Sequence, residues 1–190
     1  TAEIAVIALG GIVTNKSIRV AGDDFTDEII EYMRKEHNLN VGERTAELIK
    51  IEVGAAIQDL DNPPEEYSVH GRDMLTGIPK EIKVNYREIA HCLDKSISKI
   101  ETAVLNTLET TPPELSADIF RTGIYLTGGG ALLDGMDKLI EKRTGVHVIV
   151  PDDPLECVAL GTGYAIEHMD ILENNGGIFK TREEITGFKD

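Results

Sequence analysis

Three consecutive glycines, Gly128-Gly129-Gly130, sit between a short β-branched, apolar run and a stretch of helical periodicity. No other feature limits the fold as much. Gly123-Ile124-Tyr125-Leu126-Thr127 has the content of a buried strand, and the periodicity predicts a helix from about residue 132 to 144. Glycine at such a junction lets backbone approach a ligand closely, and the helix behind it offers unpaired N–H groups at the favourable end of its dipole. The spacing is neither the dinucleotide fingerprint nor a Walker loop, because no Gly-Lys-Ser/Thr follows. An ordinary tight strand-to-helix turn carries the same pattern, so the motif alone leaves both readings open.

The chain opens directly on a strand pattern. Ala2, Ile4, Val6 and Ala8 alternate with Glu3, Ala5, Ile7 and Leu9, which predicts a first strand covered on both faces. Gly10-Gly11 turns the chain, and two more strands are expected at Ile12-Val13-Thr14 and Ser17-Ile18-Arg19-Val20, separated by Asn15-Lys16. A domain that starts inside its own sheet is expected to be a piece of something larger.

Phe25, Ile29, Ile30 and Met33 form the stripe of a helix over 25–37. A second helix is predicted from Asn40, a candidate N-cap with Glu43 three residues on, and its apolar residues run to Ile57. Asp61-Asn62-Pro63-Pro64 ends it, and strands follow at 67–72 and 78–84. Ile89, Leu93, Ile97, Ile100, Val104 and Leu108 predict the longest helix, over 86–108, stopped by Pro112-Pro113. A short helix (114–120), the glycine-turn unit, a strand at 146–150 and a last helix over 155–172 complete the order. An acidic, glycine-containing tail without an assigned role follows. The order βββ, αα, ββ, α, α, β, α, β, α predicts an α/β layer architecture with the middle block as an inserted lobe.

Charge narrows the function. The 190 residues hold 19 basic and 34 acidic side chains, a formal net charge of −15. That balance argues against broad electrostatic binding to nucleic acid or an anionic membrane. Aromatics are only 5% and basic stretches are absent, so nothing points to nucleic-acid recognition. No apolar run reaches the ~18 residues of a membrane span. No secretory leader is visible at Thr1-Ala2-Glu3-Ile4, and Cys92 and Cys157 read as buried thiols of a cytosolic protein. The five histidines are scattered without zinc spacing, and no metal site is expected. No Ser/His/Asp set stands out.

Glu47 and Lys50, three apart, project from one helix face. A carboxylate can accept hydrogen bonds from both hydroxyls of a ribose, and a lysine stem can lie against a purine. A solvated ion pair worth a few tenths of a kcal/mol is the competing account.

Five segments in order carry a resemblance. They are Thr1-Ala2-Glu3-Ile4-Ala5-Val6-Ile7, Gly42-Glu43-Arg44-Thr45-Ala46-Glu47-Leu48-Ile49-Lys50, Gly71-Arg72-Asp73-Met74-Leu75-Thr76-Gly77-Ile78-Pro79, Thr111-Pro112-Pro113-Glu114-Leu115 and Leu126-Thr127-Gly128-Gly129-Gly130-Ala131-Leu132-Leu133. Together they resemble the bacterial actin-like rod shape-determining proteins, the MreB family, along essentially the whole chain. Looser forms of the single motifs occur in actins, Hsp70-type ATPases and sugar kinases.

The resemblance implies an actin-like (ribonuclease H-like) α/β fold, of which this chain looks like domain II. Residues 1–21 and 86–190 would form subdomain IIA, a sheet with flanking helices, and 22–85 the smaller inserted α+β subdomain IIB. It implies ATP as ligand, with Mg2+ in the intact protein. Thr1 would close a phosphate loop, Glu47, Leu48, Ile49 and Lys50 would lie at ribose and adenine, and Gly128, Gly129, Gly130 and Ala131 would form the adenosine-side turn. No catalytic residue is expected in this half. The intact protein would polymerise head-to-tail, hydrolyse ATP slowly and organise wall synthesis at the inner face of the cytoplasmic membrane. Subdomain IIA would contact the membrane-anchored adaptor of the elongation machinery, and membrane contact itself would run through the amino-terminal half. The chain alone is expected to be inactive. Two other readings stand beside this one: a protein-interaction module without useful nucleotide affinity, and a chaperone-type ATPase of the same superfold.

Overall fold

The computed structural model describes residues 1–8 and 10–169. Its first two strands, β1 (Ala2–Ala8) and β2 (Gly11–Ile18), form an antiparallel hairpin, with Gly10 at φ +75° in the turn. Two separate strands were expected where β2 runs unbroken. Asn15 and Lys16 stay extended because they pair across the ladder with Ala5 and Ile4. Pairing supplies partners for their backbone groups, and that outweighs their turn preference. The second face of β1 also differs from expectation: Glu3, Ala5 and Ile7 are exposed, while Ile4 packs toward the core.

Helix α1 (Gly22–His37) buries Phe25, Ile29 and Met33 along its stripe and ends at Asn38, whose φ of 50° is left-handed. The next two residues form β3 (Leu39–Asn40), antiparallel to β4 (Tyr67–Asp73), which pairs in turn with β5 (Pro79–Val84). Asn40 therefore lies in a strand opposite Arg72, and Gly42 takes the N-cap position of α2 (Glu43–Val53). Gly54 ends α2 earlier than its apolar pattern suggests.

Helix α3 (Tyr86–Glu109) starts with a reciprocal cap. The Asn85 side chain accepts from the N–H groups of Arg87 and Glu88 (3.0 and 3.1 Å), and Glu88 accepts from Asn85 N (2.7 Å). Its buried Ile89, Leu93, Ile97 and Val104 join Ile29, Met33, Leu39, Ile49, Val53, Val69 and Val84 in one contiguous core.

After α4 (Pro113–Thr122), β6 (Ile124–Tyr125) pairs in parallel with β7 (Val148–Ile149) across α5 (Met136–Thr144), a βαβ unit. Helix α6 (Cys157–Glu167) closes the described chain. The expected continuation of that helix to residue 172 and the acidic tail lie outside the described residues. No helix among them is long and apolar enough to cross a membrane.

Candidate functional site

Helix α2 presents Glu47 and Lys50 toward the start of α1. Glu47 Oε2 accepts from Lys50 Nζ (2.6 Å) and from Thr26 Oγ1 (2.8 Å). Lys50 Nζ also donates to the Gly22 carbonyl (3.0 Å) and to Thr26 Oγ1 (3.1 Å). The lysine side chain is only 15% exposed while that of Glu47 is 46% exposed. The pair is therefore not a solvated surface contact. It ties two helices together, and the hydrogen bond from Lys50, with the one from Thr26, holds the Glu47 carboxyl below its ordinary range. Thr26 and Gly22 belong to this cluster and were not singled out from the sequence. Thr26 at the first turn of a helix carried no pattern linking it to a residue twenty-one positions on.

Of the two residues between the pair, Leu48 is exposed and Ile49 is fully buried in the core. The Ile49 side chain is thus committed to packing, and only Leu48 faces outward. Thr1 is exposed immediately ahead of β1.

The glycine turn differs from a simple strand-to-helix junction. Gly128, at φ +80°, a conformation that L side chains rarely adopt, donates its N–H to the Pro154 carbonyl (2.8 Å). A single 3-10 turn, Gly129–Leu132, follows in place of the expected helix start. Gly135, at φ +77°, then breaks the chain direction before α5 begins. The N–H groups of a full helix dipole are accordingly not aimed from Gly130. What remains is exposed backbone at Gly129 and Gly130, with Ala131 buried behind it. A Cβ would meet nothing within 4 Å at Gly128 or Gly130.

The chain brings α2 and this turn to one junction. Asp134 N donates to the Gly54 carbonyl (3.3 Å), and Ala56 N donates to the Asp134 carbonyl (2.8 Å), an isolated parallel bridge centred on Ala55 and Asp134. Glu47 lies seven positions before Gly54, about 10 Å of helical rise. Two grooves lie elsewhere. One, of about 640 Å³, runs between β1 and α4 along Val6, Ile7, Leu115 and Ile119. The other, of about 420 Å³, lies between the loop after α2 and Lys138, Leu139 and Lys142 of α5. Glu47, Lys50 and the glycines line neither, consistent with a site open to solvent on one side. No group of three or more His, Cys, Asp or Glu among the described residues could hold a metal ion.

This mixed α/β arrangement, a three-stranded antiparallel sheet beside a parallel βαβ unit, is that of an actin-like protein. MamK in its filament structure has the same fold (TM-score 0.65 over 85% of this chain and 49% of that one), at 14% identity. The chain belongs to the MreB/Mbl protein family, which it matches over residues 1–174. It is 48% identical over 172 residues to the cell shape-determining protein Mbl of Bacillus subtilis, covering 90% of this chain and 51% of that protein. It is 42% identical over 179 residues to the cell shape-determining protein MreB of Escherichia coli, covering 94% and 50%. The crystal structure of MreB5 of Spiroplasma citri bound to ADP superimposes with a TM-score of 0.83 at 38% identity, over 92% of this chain and 52% of that one. The same protein was also solved with AMPPNP. The chain thus spans about half the length of the relatives it matches. A family match along nearly all of it favours neither the chaperone-type reading nor the bare interaction module.

Proposed function

We propose that α2 and the glycine turn form the adenosine side of an ATP site. The observation that carries this reading is the state of Glu47. One carboxylate oxygen is held by Lys50 and Thr26, which fixes the side chain. The carboxylate stays ionised and half exposed, leaving its other oxygen to accept from ribose hydroxyls. Bare backbone at Gly129 and Gly130 offers close approach on the other side. Leu48 supplies apolar surface for a base, the mostly buried Lys50 holds Glu47 in place, and Thr1 would stand at the phosphate end. Mg2+ would reach this chain only through the phosphates, since the adenosine side offers no ligand cluster. The nucleotide-bound MreB5 structures, at 38% identity, support the assignment.

In this reading residues 22–85 act as a lobe on a larger domain formed by 1–21 and 86–190. The intact protein polymerises head-to-tail with ATP, hydrolyses it slowly, and its filaments organise wall synthesis under the cytoplasmic membrane. The larger domain would meet the membrane-anchored adaptor. Phosphoryl transfer requires clamped phosphates and a positioned water, and the groups assigned here touch neither.

The test is calorimetric titration of ATP into the full-length protein. Glu47→Ala should weaken binding by roughly 1–3 kcal/mol, because ribose hydroxyls would lose their acceptor. At Gly129 a Cβ meets only Leu155 Cδ2, at 3.6 Å, so the fold tolerates Gly129→Val and the variant should block the ligand sterically. Unchanged affinity in both variants would place the nucleotide elsewhere.

A further inference from the structure

We infer that the junction of Gly54, Ala55 and Ala56 with Asp134 and Gly135 is a positioning device that sets the distance between Glu47 and the glycine turn; this rests on the adenosine-site reading above. The two halves of that site come from sequence segments about eighty residues apart and from different layers of the fold. Two backbone hydrogen bonds join them directly, Asp134 N to Gly54 O and Ala56 N to Asp134 O.

Both strands of the junction are stiff. On one side α2 ends at Gly54, whose N–H donates to the Lys50 carbonyl (3.0 Å), so the junction is continuous with the helical turn that carries Lys50. On the other, consecutive tight turns run from the glycines to Asp134: Ala131 N donates to Gly128 O (3.1 Å) and Leu133 N to Gly130 O (3.3 Å). Displacement at the junction therefore transfers to both ligand-facing groups with little to absorb it.

Sterics demand bare backbone on each side. A Cβ at Gly54 would lie 2.1 Å from the Lys50 carbonyl oxygen of its own helix and 2.9 Å from Leu133 Cδ1 across the junction, and one at Gly135 would lie 2.6 Å from Ile57 Cγ1. Gly135 is also left-handed, at φ +77°. Gly54 and Ala55 are buried on the α2 side of the junction. Binding constellations tolerate only about half an ångström of misplacement, less than either added Cβ would force.

A merely structural contact would change stability and leave affinity in the folded protein alone. In the full-length protein, saturating ATP should slow amide exchange at Ala56 and Asp134 at least fivefold, since coupling between site and junction is reciprocal. Gly135→Ala should lower ATP affinity at least tenfold at a temperature where circular dichroism is native. Ile57→Ala removes the opposing side chain; it should lower Tm while keeping affinity within twofold. Combined with Gly135→Ala it should restore part of the lost affinity, because it relieves the Ile57 clash but not the left-handed backbone. If Gly135→Ala does not fold, the exchange measurement on the unaltered protein decides. Binding of ATP with unchanged exchange at both amides would overturn the positioning role. Absence of ATP binding altogether would overturn the site reading, and the junction's role with it.

Discussion

Helices α1, α2 and α3 share a packed interior, whereas the flanking elements α4 and α6 contain no buried residue at all. Their compositions do not predict that contrast. Helix α6 (Cys-Val-Ala-Leu-Gly-Thr-Gly-Tyr-Ala-Ile-Glu) is more apolar than α1, yet Val158 is 69% exposed and Tyr164 65%, against 0% for Ile29 and Met33. The β hairpin shows the same face, with Ile7 66% and Ile12 54% exposed. A helix apolar all round ordinarily belongs in an interior, so composition alone would have buried α6. Burial in this chain is therefore concentrated in α1, α2 and α3 with β3, β4 and β5, and the apolar residues of α6 and the hairpin add little to it.

The largest effect should separate the two regions. Ile29→Ala deletes a fully buried side chain and should cost about 2–5 kcal/mol. Ile166→Ala on α6 should stay within about 0.5 kcal/mol. Urea unfolding of this chain checks both. Equal losses would show that α6 is packed in solution and that the contrast between regions is false.

A smaller effect tests how the core helices are fixed. Asn85→Ala removes the acceptor for two amides at the start of α3 and should cost about 1 kcal/mol. Helix α1 has only half of that arrangement: Ala21 N donates to Asp24 Oδ2 (2.9 Å), but alanine offers no acceptor in return. Ala21→Ser should therefore gain a few tenths of a kcal/mol or more, measured in the same denaturation series. No loss at Asn85 would mean that burial alone holds the start of α3.

These caps also show what sequence can and cannot reveal. Asn40-x-x-Glu43 and Asn85-x-x-Glu88 carry the same local signal, and only the second caps a helix. Asn40 is taken by pairing with Arg72, thirty-two positions on, which no local pattern encodes. The apolar stripes of α1 and α3 were legible because one face of each meets the core, and periodicity records that directly. Termination of α2 at Gly54 and the break at Gly135 were not read, although both glycines were visible. At Gly135 the reason is close approach of Ile57, a tertiary fact, whereas at Gly54 the Lys50 carbonyl of its own helix and the distant Leu133 both crowd a Cβ. At the site, Glu47, Lys50 and the three glycines were legible as candidates from local chemistry, and the resemblance joined them into one site. Thr26 and the Gly22 carbonyl were not, because their part depends on how α1 lies against α2.

The smallest effect lies at the tip of the β4–β5 hairpin, which belongs to the well-packed region yet is itself outside the core. Leu75 there is 80% exposed, so burial cannot hold the turn. Polar bonds do: Asp73 Oδ1 accepts from the N–H groups of Leu75 and Thr76 (2.9 Å each) and from Thr76 Oγ1 (3.1 Å). Lys80 Nζ sits 3.3 Å from Asp73 Oδ2. The backbone hydrogen bond from Thr76, followed by that from Leu75, lowers the Asp73 pKa from 3.8 to about 2. A carboxyl with a depressed folded-state pKa contributes its stabilisation fully above the unfolded value, and loses it as pH falls through the folded one. The turn should thus be unaffected above pH 5 and loosen between about pH 4 and 2, after most exposed carboxylates have already protonated. Chemical shifts of the Thr76 amide, followed through an acid titration, should give a midpoint near 2. In Asp73→Asn that transition should vanish, with little change in core stability at neutral pH. A midpoint near 4 would mean that the turn keeps its shape without the carboxylate, and that even here packing beneath the hairpin decides the structure.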